Sequence, residues 1–180
     1  MNKTICFFNT AIPWGGGEKW HFEMAKHLHE SGHSVVIFCQ KKSILFEKAK
    51  AQNIPNKIIG NSNTTFLNPL KLLYFSKLFQ KHKIGTIVLN LSQDVKSGGI
   101  AAKLSGVKRI IYRRGSAIPV RNSRLNRFLY ENIIDEVLVN SKATKECILQ
   151  NNTALFPKDY IKVIPNGIDG LAFVKKDFNP

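Results

Sequence analysis

The chain has 180 residues, 43% hydrophobic and 22% charged, with 27 Lys and Arg against 12 Asp and Glu for a formal net charge of +15. That length suits one domain able to bury a core without disulfide or metal staples, and the composition is that of a soluble globular protein. The three cysteines, Cys6, Cys39 and Cys147, have neither disulfide nor zinc spacing, and no apolar run reaches the ~18 residues a bilayer span needs, so a stapled fold, a zinc module and a transmembrane helix are excluded.

In chain order, strand-like and helix-like segments alternate. The N-terminal "KTICFFN" (3–9) breaks into Asn, Pro and Trp too soon for an export signal and reads as a first strand. Residues 17–31 follow as an amphipathic helix, with Trp20, His21, Met24, Ala25 and Leu28 on one stripe and Glu18, Lys19, Glu23, Lys26 and Glu30 mostly opposite. Gly32 closes that helix as a left-handed cap. Further strands are expected at 34–39, 56–60, 85–91, 108–114, 135–141 and 160–165, and further helices at 43–52, 69–82, 94–105, 123–133 and 142–151. Several strands are apolar on successive residues, as when both sheet faces are covered. The expected fold is therefore α/β, a doubly wound, mostly parallel, Rossmann-like sheet of about six or seven strands with helices on both faces. The last residues, 170–180, read as a tail or the start of a linker.

Gly15, Gly16 and Gly17 lie between the first strand and the first helix. Ligands of open parallel sheets bind beyond the carboxyl ends of the strands, and a helix N-terminus presents free amides and a positive dipole end. The glycines therefore suit a cradle for a phosphate or diphosphate; the alternative is a loop that needs positive φ to turn. A dinucleotide site is disfavoured, because Lys19 and Trp20 stand where small residues should pack, and the second strand ends Phe38-Cys39-Gln40-Lys41 without a ribose-binding acid.

Four segments, "GGGEK" (15–19), "LHESGHSVVIFC" (28–39), "DEVLVNSKATKE" (135–146) and "IKVIPNGID" (161–169), together resemble the N-terminal domain of a retaining GT-B glycosyltransferase of family 4, over residues 3–169. The resemblance implies one half of a two-domain enzyme: residues 1–169 as the acceptor-side domain and, beyond 170–180, a donor-binding domain absent from these residues. It places the donor diphosphate at Gly15, Gly16 and Gly17 and a hinge at Asn166 and Gly167. No cofactor is implied, since the nucleotide-sugar is a substrate, and no metal. The family's pair of glutamates eight positions apart does not occur here. Where many members carry a His after the fifth strand, this chain reads Tyr112-Arg113-Arg114-Gly115-Ser116. Arg113 or Arg114 is the candidate clamp for an anionic acceptor or the departing diphosphate, against the alternative of an ion pair with a surface acid.

Asp94 is a candidate catalytic acid beside Arg114, accepting a hydrogen bond from an acceptor hydroxyl, with helix capping as the stronger alternative. Ser141 reads as a cap. His21 reads as a core histidine, and His27, His29 and His82 lack metal spacing. The segment 68–83 joins Leu70, Leu73, Phe75 and Leu78 to Lys71, Lys77, Lys81 and Lys83; it is a crossover helix with its apolar side on the sheet, or a basic amphipathic helix resting on anionic lipid.

The expected function is sugar transfer from a nucleotide-sugar to a lipid-linked or phosphate-bearing cell-envelope saccharide, in the cytoplasm and peripherally on the inner face of the membrane. The isolated domain is expected to be inactive and to bind donor weakly or not at all. The competing reading is a non-enzymatic basic domain that binds nucleic acid or another polyanion; the chain lacks the motifs of that class.

Overall fold

The computed structural model describes residues 3–150, 155–156 and 160–167. Seven strands, β1 (Thr4–Phe8), β2 (Val35–Cys39), β3 (Asn56–Ile58), β4 (Ile84–Leu89), β5 (Arg109–Arg114), β6 (Glu136–Val139) and β7 (Ile161–Val163), form one sheet in the order β3-β2-β1-β4-β5-β6-β7. Every neighbouring pair is parallel. The strand order reverses between β1 and β4, which opens a crevice at their carboxyl ends.

Alternation along the strands divides the core in two. Phe7, Ile37, Val88 and Ile111 face the layer of α1 (Gly16–Glu30) and α2 (Ile44–Ala51), where Phe22, Ala25, Leu45 and Ala49 meet them. Cys6, Phe8, Phe38, Leu89, Ile110 and Val137 face the opposite layer. That layer comprises α3 (Pro69–Lys81), a helical run of α4 (Ser92–Asp94), a π-helical turn (Val95–Gly99) and α5 (Ile100–Ser105), then α6 (Arg124–Asn132) and α7 (Lys142–Leu149). A fully buried Phe or Leu on these faces contributes roughly 1.5–3 kcal/mol.

Local chemistry sets the helix ends. The side chains of Ser43, Asn68, Ser123 and Ser141 each accept an amide hydrogen bond in the first turn of α2, α3, α6 and α7. Gly32 and Gly106 take φ of +82° and +77° after α1 and α5, the left-handed conformation that favours glycine. No helix among the described residues is long and apolar enough to cross a membrane.

Helix α3 departs from the sequence expectation. Phe75, Leu78 and Phe79 lie against the sheet, but Leu70 and Leu73 point outward. The four residues grouped as one apolar face belong to two faces. The expected tail at 170–180 lies outside the described residues.

Candidate active site

The carboxyl ends of β1, β4, β5 and β6 and the segment after β7 enclose a cleft of about 340 Å³. Gly16, Gly17 and Glu18 form one wall, Asn90 and Leu91 the floor, and Arg113, Gly115, Asn140 and Asn166 the far side. Gly15 is the N-cap of α1, extended at φ −148°, and no side chain caps the helix there. Positive φ is therefore not why these glycines are present. A Cβ on Gly17 would stand 2.7 Å from Asn90 Oδ1, whereas one on Gly16 would meet nothing within 4 Å. Gly17 serves close packing, and Gly16 leaves open space before the first amides of the helix.

Glu18, assigned by the helical pattern to the solvent side, is buried. Its Oε1 accepts hydrogen bonds from Asn90 Nδ2 at 2.7 Å and Asn9 Nδ2 at 3.4 Å. The acid complements the positive end of α1 and faces Arg113 electrostatically. Its partners come from the ends of β1 and β4, so only the fold unites them; the signal in the sequence was an Asn closing each of those two strands.

Arg113 and Arg114 occupy opposite sides of β5, as successive strand residues must. Arg113 is only 5% exposed and reaches into the cleft, its guanidinium 5.3 Å from the Trp20 ring centre and its Nη2 donating to Asn166 Oδ1 at 3.4 Å. Gly115 lies so close beneath that a Cβ there would stand 2.3 Å from Nη1. Burial pulls the Arg113 pKa down, and Glu18 pushes it back up. Arg114 instead lines a separate cavity of about 100 Å³ with Lys96, Tyr112, Arg121 and Tyr130. Its Nη1 donates to Tyr112 Oη at 3.1 Å and its Nη2 to the Ile118 carbonyl. The two arginines thus do not form one clamp, and neither is in an ion pair among the described residues.

Asp94 is fully buried, which removes it from contact with a substrate. Its Oδ2 accepts from the Leu91 amide at 3.0 Å and the Thr10 amide at 3.3 Å, and its Oδ1 from Asn61 Nδ2 at 3.0 Å and the Thr10 hydroxyl. Burial drives its pKa up to about 6 against the pull of those hydrogen bonds. The candidate catalytic acid is therefore a structural cap that ties the ends of β1 and β4 to the loop after β3. His21 is likewise fully buried, edge-on to Phe7 with ring centres 5.5 Å apart. Burial first, then Arg113, lowers its pKa to about 3. Asn166 and Gly167 are exposed after β7, and Ile168 and Asp169 lie outside the described residues. No group of three or more His, Cys, Asp or Glu that could hold a metal occurs among the described residues.

The sequence model of Glycosyltransferase Family 4 matches residues 14–170. No curated protein matches the chain by sequence. Among solved structures, Anabaena HepE in complex with UDP superposes with a TM-score of 0.71 at 19% identity, covering 92% of this chain and 44% of that one. A Rickettsia africae glycosyltransferase gives 0.71 at 20%, covering 94% and 44%, and Acinetobacter baumannii MurG gives 0.66 at 18%, covering 94% and 47%. The chain thus spans less than half the length of these structures, and the sheet is that of one Rossmann-like half of a GT-B fold.

Proposed function

The chain belongs to glycosyltransferase family 4, and from that premise we propose that it is the acceptor-side half of an enzyme transferring a sugar from a nucleotide-sugar. The observation that carries this reading is the cleft at the strand reversal, where the uncapped start of α1 and the Arg113 guanidinium face the same space. In such a transfer the bond from the anomeric carbon to the diphosphate oxygen breaks, and the acceptor hydroxyl oxygen bonds to that carbon. The hydroxyl proton is released, and the departing diphosphate takes the electron pair. Amide dipoles at Gly16 and Gly17 stabilise that charge without reorganising. Arg113, held by Trp20 and Asn166, supplies the positive charge on the opposite wall. Glu18 offsets part of it and favours a sugar hydroxyl over a second phosphate on the α1 side.

The acceptor sits against this half, its anionic group directed to the cavity of Lys96, Arg114 and Arg121. HepE binds UDP and UDP-glucose in its solved complexes, which supports a uridine nucleotide as donor. The donor's base and sugar fall to a second domain, joined through Asn166 and Gly167, so the 180 residues alone bind donor weakly and do not turn it over. No metal or cofactor takes part, and the reaction belongs to the cytoplasmic assembly of an envelope saccharide. Nucleic-acid binding is not favoured: the strand aromatics Phe7, Phe8 and Phe38 are buried in the core and offer no stacking platform.

The test is hydrolysis and transfer across UDP- and GDP-sugars by the full-length protein. Turnover of one donor, cut about tenfold or more by Arg113→Ala, supports the proposal; a protein that turns over none of them, or an R113A variant as active as wild type, overturns it.

A further inference from the structure

Apart from the amides that open α1, the cleft sorts its hydrogen-bonding groups by wall. On the α1 side Glu18 accepts, and Asn90 commits its Nδ2 to Glu18 Oε1 at 2.7 Å, so the end of Asn90 left for a ligand is its oxygen. On the far side the order is reversed. Asn140 Oδ1 accepts from the Thr144 hydroxyl at 2.9 Å, and Asn166 Oδ1 accepts from Arg113 Nη2 at 3.4 Å. Both asparagines therefore keep their NH2 groups for a ligand, beside a guanidinium that can only donate. One wall takes hydrogens and the other gives them.

The giving wall also carries an uncompensated charge. Arg113 is almost wholly buried, yet no carboxylate among the described residues lies within ion-pair distance of it. The Trp20 ring covers it at 5.3 Å and the Gly115 backbone lies beneath it, so its fork is held in one orientation. A buried cation needs a counter-ion, and here the ligand must bring it. The hydroxyls of a neutral hexose would leave the charge unbalanced, whereas a carboxylate supplies the charge and a planar pair of acceptors that matches the fork. At about 340 Å³ the cleft is of small-molecule size rather than that of one phosphate. The diphosphate has its place at the α1 amides and the acceptor's anion has the cavity of Lys96 and Arg114, so the remaining anion is one borne by the sugar itself.

We propose that Arg113 reads a carboxylate on the transferred sugar, so that the donor is a nucleotide-linked hexuronate and not a neutral hexose. This rests on the reading of the cleft as a nucleotide-sugar site. The Arg113 fork takes the carboxylate, the NH2 groups of Asn140 and Asn166 donate to its remaining lone pairs, and the Asn90 oxygen and Glu18 accept from hydroxyls across the ring. Glu18 and Arg113 together set the orientation, because a reversed sugar would place carboxylate against carboxylate.

The test compares UDP-glucuronate with UDP-glucose, and UDP-galacturonate with UDP-galactose, on the full-length protein, by calorimetry for affinity and by donor hydrolysis for kcat/KM. In at least one pair the acidic donor is expected to be favoured about tenfold or more by both measures. Arg113→Gln is expected to abolish the preference, and Arg113→Lys, which keeps the charge but not the fork, to retain only part of it. Wild type that binds the neutral member of each pair as tightly as the acidic one overturns the proposal, and that result holds even if the variants fail to fold. An R113Q variant that weakens both members by the same factor overturns it too, since the guanidinium would then serve the diphosphate alone. The two readings fail separately: an acidic preference in calorimetry without turnover keeps the carboxylate assignment and sinks the transferase, whereas turnover of neutral donors alone does the reverse.

Discussion

Asp94 and His21 are both shut away from water, yet their surroundings are opposite in kind. Asp94 is ringed by donors: the Thr10 amide and hydroxyl, the Asn61 amide group and the Leu91 amide. Gln93 and Ser97 extend the ring by donating to the Thr10 hydroxyl and the Asn61 side-chain oxygen. His21 has no hydrogen-bond partner on either ring nitrogen among the described residues, and it packs edge-on to Phe7 and tilted against Trp20. The difference is one of task. A charged or polar network earns its burial when it must fix loops from distant parts of the chain, as Asp94 does beneath the cleft. A histidine kept neutral beneath Trp20 and Arg113 acts as an aromatic filler with two idle nitrogens.

The largest effect should come from cutting the satisfied network. Asp94→Ala removes the acceptor that four donors share, and urea unfolding should show a loss of about 3–5 kcal/mol; a loss below ~1 kcal/mol would mean that the ring holds nothing together. Next is the glycine pair at the start of α1. Gly17→Ala drives a methyl into Asn90 and through it disturbs Glu18, costing about 1–3 kcal/mol. Gly16→Ala meets open space and should stabilise the helix by about 0.5–1 kcal/mol. If Gly16 exists for a phosphate, the same substitution in the full-length protein should raise the KM for donor while the melting temperature rises.

Smallest is the change at the unsatisfied site. His21→Phe keeps the aromatic contacts and removes two unpartnered nitrogens, so stability at neutral pH should be unchanged or higher by about 1 kcal/mol. Its signature lies in pH. The folded pKa of about 3 lies below the ordinary 6.5, so the unfolded chain takes up the proton first as pH falls. The neutral histidine's contribution is complete above pH 6.5 and is lost between there and about 3. Asp94 works in the opposite sense: its folded pKa of about 6 exceeds the ordinary 3.8, so its burial costs most above pH 6 and the cost is relieved on acidification towards 3.8. The stability of wild type minus that of H21F, followed by urea titration, should climb from pH 3 to 6.5 and then level off. A flat difference would show that His21 does not titrate on unfolding.

How much of this was legible follows from the range over which each signal acts. Runs such as "VVIFC" carry their own period, so all seven strands were placed within a few residues, and Ser141 and Gly32 act on their own helix ends. Asp94 looked like a cap or a catalyst because Thr10 and Asn61, which decide the matter, lie 84 and 33 residues away. Glu18 was misassigned for the same reason. Arg113 and Arg114 look alike in the sequence, and only the alternation of β5 sends one to the cleft and the other to a separate cavity. The leucines of α3 form one cluster by composition and two by angle.

The π-helical turn at Val95–Gly99 works as a phase shifter. An ordinary helix advances 100° per residue; the wider turn winds more slowly, so its five residues, four of them buried, span about the angle of four and set the phase between Asp94 and the buried Ala101 and Ala102. Forcing these five residues into regular winding, with none removed, would rotate Asp94 by about 100° against α5, unplugging the ring of donors while every one of its members remained in the sequence.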